Sequence, residues 1–244
     1  MASGRAVSVI APCFNEEGNV AELVRRVLPV LAALGAGSEL VLVDDGSRDR
    51  TWEKIRGCAG RDPRIVPVHH EENRGIEAAW RSGLAAASGE LVCLIDADLQ
   101  NRPEDILRLY ARLGEAPEVD IVQGVRRPAQ GVRRHQIFTR ALGALLNASF
   151  GMKLRDNKSG FLFCPRAVLE RILVHRYRYR YFQAFVGASA GARGLRVGEV
   201  ETVFEPRRAG SSFLSRLPVL VSARICWELA KFRWETARER PSGP

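Results

Sequence analysis

The chain has 244 residues, enough for one domain with a sizeable core, and no internal stretch has the composition of a long linker. Its formal net charge is +9 and its isoelectric point is near 9.9. No nucleic-acid-binding signature accompanies this charge, so we exclude nucleic acid as the partner. The five cysteines are odd in number and scattered singly, which excludes a disulfide framework and a cysteine metal site and predicts reduced thiols.

An apolar run of strand length, Val7–Ala11, begins the chain and leads into the loop Pro12–Glu17. A helix is predicted at Val20–Leu34, because apolar residues recur there at helical spacing. Its apolar face consists of Val20, Leu23, Val24, Val27, Leu28 and Leu31.

A second apolar run, Glu39–Val43, ends at Asp44 and Asp45, and the next helix begins between Ser47 and Thr51. This alternation of strands and helices predicts an α/β fold with a doubly wound parallel sheet. Taken alone, the two acids are also consistent with a helix N-terminal turn.

A third apolar run, Leu91–Ile95, stops at two carboxylates, Asp96 and Asp98. In an extended backbone, residues two apart lie on one face, and open α/β sheets bind ligands outside the carboxyl ends of their strands. Two hard oxygen ligands there suit Mg²⁺ or Mn²⁺ shared with a substrate diphosphate. Taken alone, the pair is equally consistent with a capping or turn role. Acids after three strands favour a cationic or hydrogen-bonding ligand at this edge.

Four blocks in this order and spacing resemble family 2 glycosyltransferases: Ala11–Glu17, Val43–Thr51, Asn73–Gly75 and Asp96–Gln100. Within that family they are most similar to the dolichyl- and polyprenyl-phosphate mannosyl- and glucosyltransferases. Two further blocks, Asp156–Phe161 and Phe204–Ser212, extend the likeness to about Arg216.

The resemblance implies a GT-A (Rossmann-like) fold, with a mixed, mostly parallel sheet flanked by helices, in a single catalytic domain at residues 1–216. It implies an inverting transfer of a hexose, mannose or glucose, from a GDP- or UDP-sugar with the help of Mg²⁺ or Mn²⁺. The implied metal ligands are Asp96 and Asp98, and Asp44 or Asp45 is expected to contact the base. The full set of implied donor-binding positions is Pro12, Phe14, Glu16, Asp44, Asp45, Arg74, Asp96, Ala97, Asp98 and Gln100.

Arg207 and Ser212 fall at family positions associated with the phosphate groups. Related synthases often have Lys directly after that Ser, where this chain has Phe213, so the contact from that Lys is in doubt. A phosphate acceptor is already an ionised nucleophile, whereas a hydroxyl needs a general base. Asp156 is either that base or a structural turn acid. The implied catalytic residues are therefore Asp96, Asp98, Asp156 and Arg207.

The favoured acceptor is a polyprenyl or dolichyl phosphate at the cytosolic membrane face. One alternative is a soluble, hydroxyl-bearing small molecule, as in secondary-metabolite glycosylation, which Phe213 and the lack of a spanning segment favour. Another alternative is a non-catalytic nucleotide-sugar-binding protein, against which the intact Asp96 and Asp98 argue.

Residues 217–238 are predicted to form an amphipathic helix, and residues 239–244 a disordered tail. Charged residues within this helix make membrane spanning unfavourable. Its apolar stripe is Leu220, Ala223, Trp227, Ala230 and Trp234, opposite Arg224, Glu228, Lys231 and Glu235. Such a helix lies on a membrane surface, or docks on its own domain or on a second copy in a homodimer. The same alternatives apply to the apolar segment Ile137–Phe150. The N-terminus has no apolar signal segment, so a cytoplasmic location, peripheral on the membrane, is expected.

Basic residues concentrate in the second half of the chain, where Arg176–Phe182 alternates arginine with aromatic residues. This alternation favours either an extended segment that guides an anionic acceptor or a solvated surface run. None of the histidines has a recognisable catalytic context, and all are expected at the surface: His69, His70, His135 and His175.

Overall fold

The structure is a computed structural model that describes residues 5–126, 143–144, 146–156, 159–175, 177, 179, 182, 186–206 and 227–236. The strands are β1 (Val7–Cys13), β2 (Glu39–Asp45), β3 (Ile65–His70), β4 (Leu91–Leu94), β5 (Ile121–Arg126), β6 (Leu162–Pro165) and β7 (Val197–Thr202). The helices are α1 (Val20–Leu34), α2 (Thr51–Ala59), α3 (Ile76–Ala86), α4 (Ile106–Glu115), α5 (Arg166–Leu173) and α6 (Val186–Ala192), with a 3-10 turn at Pro103–Asp105. Helical residues also occur at 143–144, 146–150 and 227–236.

These strands form one sheet in the order β3-β2-β1-β4-β6-β5-β7, and among the described strands only β6 runs antiparallel to its neighbours. The chain moves from β1 outward to β2 and β3, then returns to β4 on the other side of β1. The carboxyl ends of β1 and β4 therefore flank a topological switch point, where open α/β sheets bind ligands. This mixed, mostly parallel sheet flanked by helices confirms the predicted fold class.

Helical and strand periodicity located the first elements well. Helix α1 has the predicted bounds, and α2 begins at Thr51, within the predicted interval. Strand β4 ends at Leu94, one residue earlier than the predicted run, although Ile95 N still donates to Ile10 O at 3.1 Å.

The core lies on both faces of the sheet. One face packs against α1, α2 and α4, and the other against α3 and α5. Gly83 allows α3 to approach β1 closely, since a Cβ there would lie only 2.4 Å from Ile10 Cγ2. The described cysteines, Cys13, Cys58, Cys93 and Cys164, are free thiols as predicted, and Cys226 lies outside the described residues.

The helical segment 227–236 docks on the domain, which was one of its predicted alternatives, but through the side opposite the predicted apolar stripe. Glu235 is buried and accepts a hydrogen bond from the Tyr179 hydroxyl, while Phe232 is buried among Tyr179, Phe182 and Phe150. The predicted faces are therefore wrong for Glu228 and Glu235, both buried. The predicted apolar stripe is the exposed side, with Trp227 62% and Trp234 50% accessible.

The remaining part of the predicted helix, residues 217–226, lies outside the described residues. The described part of the other apolar segment also docks on the domain, because Leu146 is buried and Phe150 packs on Phe232. Within the described part of the chain, no helix is both long and apolar enough to cross a bilayer.

The described members of the arginine–aromatic run contribute to the core. Tyr179 and Phe182 are buried, so the solvated-surface interpretation is wrong for them. His175, expected at the surface, has a side chain only 1% exposed, with Nε2 3.1 Å from Glu77 Oε1. Its ring packs against those of Tyr179 and Phe182, a tertiary environment that local sequence does not reveal. Arg176, Arg178, Arg180 and His135 lie outside the described residues.

Candidate active site

The loops that follow β1 and β2 are joined to each other by hydrogen bonds. Asn15 N donates to Ser47 Oγ at 2.9 Å, Arg48 N donates to Asn15 Oδ1 at 2.9 Å, and Glu16 N donates to Thr51 Oγ1 at 2.8 Å. Asn15 has a φ of 56°, a left-handed conformation that Asn tolerates better than most residues. The predicted donor-binding residues Pro12 and Glu16 are half-buried in this region, and Phe14 is exposed.

Strands β2 and β3 end in two aligned pairs of acid and histidine. The parallel register places Asp44 opposite His69 and Asp45 opposite His70. Asp44 is fully buried, with Oδ2 2.8 Å from His69 Nδ1, and Oδ1 accepts a 3.3 Å bond from Ser47 N. The His69 ring is stacked on Trp52 at 4.7 Å between centroids.

Asp45 fixes the loop that leads into α3. Its carboxylate accepts hydrogen bonds from Arg74 N at 2.9 Å and Gly75 N at 2.8 Å, and it lies 2.8 Å from His70 Nδ1. His70 is buried and its Nε2 lies 2.8 Å from Ser82 Oγ, so its predicted surface position is wrong. Local sequence gave no sign of these pairs, but aligning the ends of adjacent strands β2 and β3 would have found them.

The turn after β2 requires a glycine. Gly46 has a φ of 68°, and a Cβ there would lie 2.3 Å from the carbonyl carbon of Glu72. This close approach brings the loop before α3 next to the end of β2, where Asn73 Nδ2 also donates to Asp45 O at 3.2 Å. The exposed predicted donor residue Arg74 is thereby placed beside the carboxyl end of β2.

Negative charge accumulates at this edge of the sheet. Burial raises the pKa of the Cys13 thiol far above its ordinary value, and the charges of Glu16, Asp44 and Asp49 raise it further. Cys13 is therefore a neutral thiol at physiological pH and not a nucleophile. Of these carboxylates, Glu16 follows β1 and Asp44 lies at the end of β2, so the acidic ends of these two strands are close together.

Asp96 and Asp98 lie directly beyond β4, on the other side of the switch point. Asp96 is half-buried and Asp98 is buried, while Ala97 and Leu99 belong to the core. Asp98 Oδ1 accepts a hydrogen bond from Gln100 N at 3.1 Å, and Leu99 between them has a φ of 61°. Asp98 thus has the turn role that was one of its two interpretations.

A metal ion here would need ligands from the substrate. Among the described residues no group of three or more His, Cys, Asp or Glu side chains has a metal-binding arrangement. Two carboxylates nevertheless fit Mg²⁺ or Mn²⁺, since hard cations of this kind are commonly bound by one or two carboxylates plus substrate phosphates. Asp96 and Asp98 are the residues that would hold it.

The segment after β7 runs beside the segment that follows Asp98. Glu205 N donates to Gln100 O at 2.8 Å, and Asn101 forms an antiparallel bridge with Phe204. The predicted phosphate residues Arg207 and Ser212, together with Phe213, follow in sequence and lie outside the described residues.

The backbone of Asp156 is held in place by two hydrogen bonds. Its N–H donates to Glu199 Oε1 at 3.3 Å, and its carbonyl oxygen accepts a bond from Gln123 Nε2. The side chain is half-buried, and both of its interpretations stay open.

A cavity of about 250 Å³ lies elsewhere, and Asp44, Asp45, Asp96 and Asp98 are not among the residues that line it. It is lined by Arg25, Arg26, Pro29, Val30, Glu104 and Leu107. We do not place the donor there, because the cavity lacks the convergent strand ends at which this fold binds ligands.

Comparison with known sequences identifies the family. Residues 8–178 match the profile of the family described as "Glycosyl transferase family 2". The chain belongs to glycosyl transferase family 2. This confirms the resemblance drawn from the four blocks.

Two curated relatives of this family 2 chain are named for polyprenyl phosphates. The undecaprenyl-phosphate 4-deoxy-4-formamido-L-arabinose transferase of Pseudomonas aeruginosa (strain LESB58) is 33% identical over 215 residues, 88% of this chain and 62% of the relative. The dodecaprenyl-phosphate galacturonate synthase of Rhizobium johnstonii is 31% identical over 210 residues, 84% of this chain and 61% of the relative. The chain thus spans less than two thirds of these relatives. Their names give sugars other than the expected mannose or glucose.

Solved structures support the GT-A fold of this family 2 chain. The glucosyl-3-phosphoglycerate synthase of Mycobacterium tuberculosis, in complex with Mn²⁺, UDP and glucosyl-3-phosphoglycerate, has a TM-score of 0.71 at 22% identity, covering 96% of this chain and 81% of that one. The same enzyme with Mg²⁺ and UDP has a TM-score of 0.67 at 24% identity, covering 85% and 73%. At these identities the likeness shows the fold alone.

Proposed function

We propose that this protein is an inverting, metal-dependent glycosyltransferase that moves a sugar from a nucleotide diphosphate donor to a polyprenyl phosphate. The principal observation is that Asp96 and Asp98 lie at the switch point of a family 2 chain, directly beyond β4. The polyprenyl phosphates in the names of two relatives support the acceptor.

The donor's nucleoside would occupy the crevice beyond β1 and β2. Pro12, Phe14 and Glu16 lie at its β1 side. Asp44 and Asp45 are buried and already bonded to protein N–H groups, so they would share their oxygens with a base that has an N–H donor. Uracil and guanine both have such a donor, which agrees with UDP- or GDP-linked sugars.

The diphosphate would lie between the strand ends. A bound Mg²⁺ or Mn²⁺ would neutralise negative charge on the diphosphate leaving group. Asp96 and Asp98 would hold that ion, and Gln100 and Ala97 would line the same turn. The exposed Arg74, and Arg207 further along the chain, are the guanidinium groups that we assign to the phosphates.

A phosphate acceptor explains why no histidine or obvious base is needed. A phosphomonoester has a second pKa of about 6, so it is an ionised nucleophile at pH 7. Its oxygen attacks the anomeric carbon as the bond to the diphosphate breaks, with inversion. In this scheme Asp156 is a structural acid, and Arg207 and Ser212 contact acceptor or donor phosphate.

Membrane contact at the cytosolic face would come from the exposed side of residues 227–236. Trp227, Ala230, Arg233 and Trp234 are all exposed there. Exposed tryptophan beside a basic residue is the composition of interfacial helices. A helix that docks through Phe232 and presents Trp227 and Trp234 outward could hold the domain against lipid.

The test is a product assay with purified protein, a panel of UDP- and GDP-sugars, Mn²⁺, and either a polyprenyl phosphate or the matching polyprenol. We expect a glycosyl phosphate lipid from the phosphate and nothing from the alcohol. Transfer to the polyprenol or to a soluble hydroxyl compound instead, with a low-pH limb of rising rate in the pH–rate profile that disappears in Asp156→Asn, would replace this proposal by the hydroxyl-acceptor alternative.

A further inference from the structure

A cluster of four charged side chains lies between α1 and the two segments that flank the candidate metal site. We call Arg26, Arg102, Glu104 and Glu205 the Arg26 cluster. Arg26 is a charged residue on α1 with only 9% exposure. Its Nε and Nη2 donate to the two oxygens of Glu104 at 2.9 and 2.6 Å, and its Nη1 donates to Glu205 at 3.4 Å.

Arg102 completes the cluster from the loop beyond Asp98. Its Nε lies 3.2 Å from Glu205 Oε1, although the direction of the N–H does not make this a hydrogen bond. The forked contact of Arg26 with Glu104 fixes both distance and orientation, as bidentate pairs do. Arg26 thus contacts one carboxylate from each of the two segments.

The backbone of the two segments is joined beside this cluster. Besides the bond from Glu205 N to Gln100 O and the bridge between Asn101 and Phe204, Val203 N donates to Asp105 Oδ2 at 3.1 Å. Residues 203–205 are therefore held along residues 100–105. Glu104 is six residues after Asp98, and Arg207 is two residues after Glu205.

The turn at Asp98 needs this support. Leu99 has a φ of 61°, and a left-handed residue other than glycine persists only where its surroundings enforce it. The cluster and the three backbone contacts lie just C-terminal to that turn. They hold in place the backbone that follows Asp98 and the backbone of residues 203–205, which precedes Arg207 in the sequence.

We propose that Arg26 is a positioning residue for the transfer reaction: through Glu104 and Glu205 it sets the placement of Asp98 relative to the segment that leads to Arg207. This inference rests on the proposed function, since it assigns the two segments to metal and phosphate. Stability alone does not explain the cluster, because partly exposed ion pairs contribute little and buried ones are weak determinants of stability.

The test compares Glu205→Gln and Arg26→Lys with the control Arg25→Gln. Arg25 is the neighbouring residue on α1, and its Nε lies 2.7 Å from Glu22 Oε2 on the same helix, so its ion pair is outside the cluster. Steady-state kcat and KM for donor and polyprenyl phosphate are measured at saturating Mn²⁺, together with the melting temperature.

We expect Glu205→Gln and Arg26→Lys to lower kcat by about 10- to 100-fold, because small misplacements of catalytic groups have effects of that size. The donor KM should stay within about twofold, and the Glu205→Gln melting temperature within about 4 °C of the parent. Arg25→Gln should match the parent in kcat. A kcat equal to that of the parent in both cluster variants, or a loss no larger than the loss of folded protein, would overturn the proposal.

Metal-dependent hydrolysis of the donor separates this inference from the proposed acceptor. If the parent hydrolyses the donor but transfers to no polyprenyl phosphate, the acceptor assignment fails and the same kcat comparison is made on hydrolysis, where the same losses are expected. A parent protein with neither activity overturns both proposals.

Discussion

Asp98 combines a structural contact with the proposed chemistry. Its Oδ1 accepts the Gln100 N–H, and the turn between them contains Leu99 in the left-handed region. Such a conformation costs about 1–3 kcal/mol and is concentrated at functional sites. The left-handed turn, the burial of Asp98 and its place at the switch point are therefore all consistent with a functional role for this carboxylate.

Replacing Asp98 by Asn keeps an oxygen for the Gln100 N–H but removes the negative charge. We expect kcat to fall by about 10²–10³-fold and the Mn²⁺ concentration for half-maximal rate to rise, because charge stabilisation of the leaving diphosphate is lost. Rates are measured across a Mn²⁺ titration. EDTA should produce the same loss in the parent, and full turnover of the variant in EDTA would disprove the metal assignment.

Replacing Asp45 is predicted to lower the free energy of unfolding more than replacing the less buried Asp62. Asp45→Ala leaves the N–H groups of Arg74 and Gly75 and the His70 ring without this acceptor, and each unpaired group costs about 1–3 kcal/mol. We expect the free energy of unfolding to drop by about 3 kcal/mol or more. Urea unfolding measures this, with Asp62→Ala as control, since Asp62 pairs only locally with Arg64 among the contacts described. Equal losses in the two variants would contradict the role of Asp45.

At the scale of elements, the spacing of apolar residues predicted where helices and strands lie, because that spacing is a local property of the sequence. The six apolar positions of α1 located that helix, and the predicted end of β4 was one residue too late. Strand β2 continues two residues beyond the predicted run and includes Asp44 and Asp45. The faces of segment 227–236 could not be predicted, because burial of Glu235 depends on Tyr179, 56 residues earlier in the chain. The pairing of the β3 histidines with Asp44 and Asp45 was missed because these partners lie on different strands, and only the register of β2 with β3 brings them together.

The Arg26 cluster also predicts a pH dependence of stability. The hydrogen bond from Arg26 holds the pKa of Glu104 below its ordinary 4.5. A depressed carboxyl pKa contributes stability above the ordinary pKa, and this is lost as pH falls through the depressed value. The difference in unfolding free energy between the parent and Arg26→Met should therefore be largest above pH 4.5 and shrink below it. Urea unfolding at several pH values checks this, and a constant difference would contradict it.

At the scale of the whole molecule, charge and apolar surface are distributed unevenly. Carboxylates concentrate at the carboxyl ends of β1, β2 and β4, while the chain as a whole has a net charge of +9. The exposed Trp227 and Trp234 lie on the segment whose other side is docked by Phe232. This arrangement would let one surface meet an anionic membrane while the acidic crevice binds a metal and a nucleotide.

Vesicle binding tests that arrangement. The protein should sediment with anionic phosphatidylglycerol vesicles, and binding should weaken as salt rises. Changing Trp227 and Trp234 to Ala should reduce binding, whereas the control Trp52→Phe should not, because Trp52 stacks on His69. Equal binding by the parent and the double variant would remove this segment from the membrane contact.

The location of the metal and diphosphate is the claim on which the proposed chemistry depends. It can be measured directly by anomalous scattering from crystals grown with Mn²⁺ and UDP or GDP. We predict a manganese peak coordinated by the carboxylates of Asp96 and Asp98 and by diphosphate oxygens. A peak at another carboxylate cluster, or nucleotide bound without manganese at Asp96 and Asp98, would contradict the account.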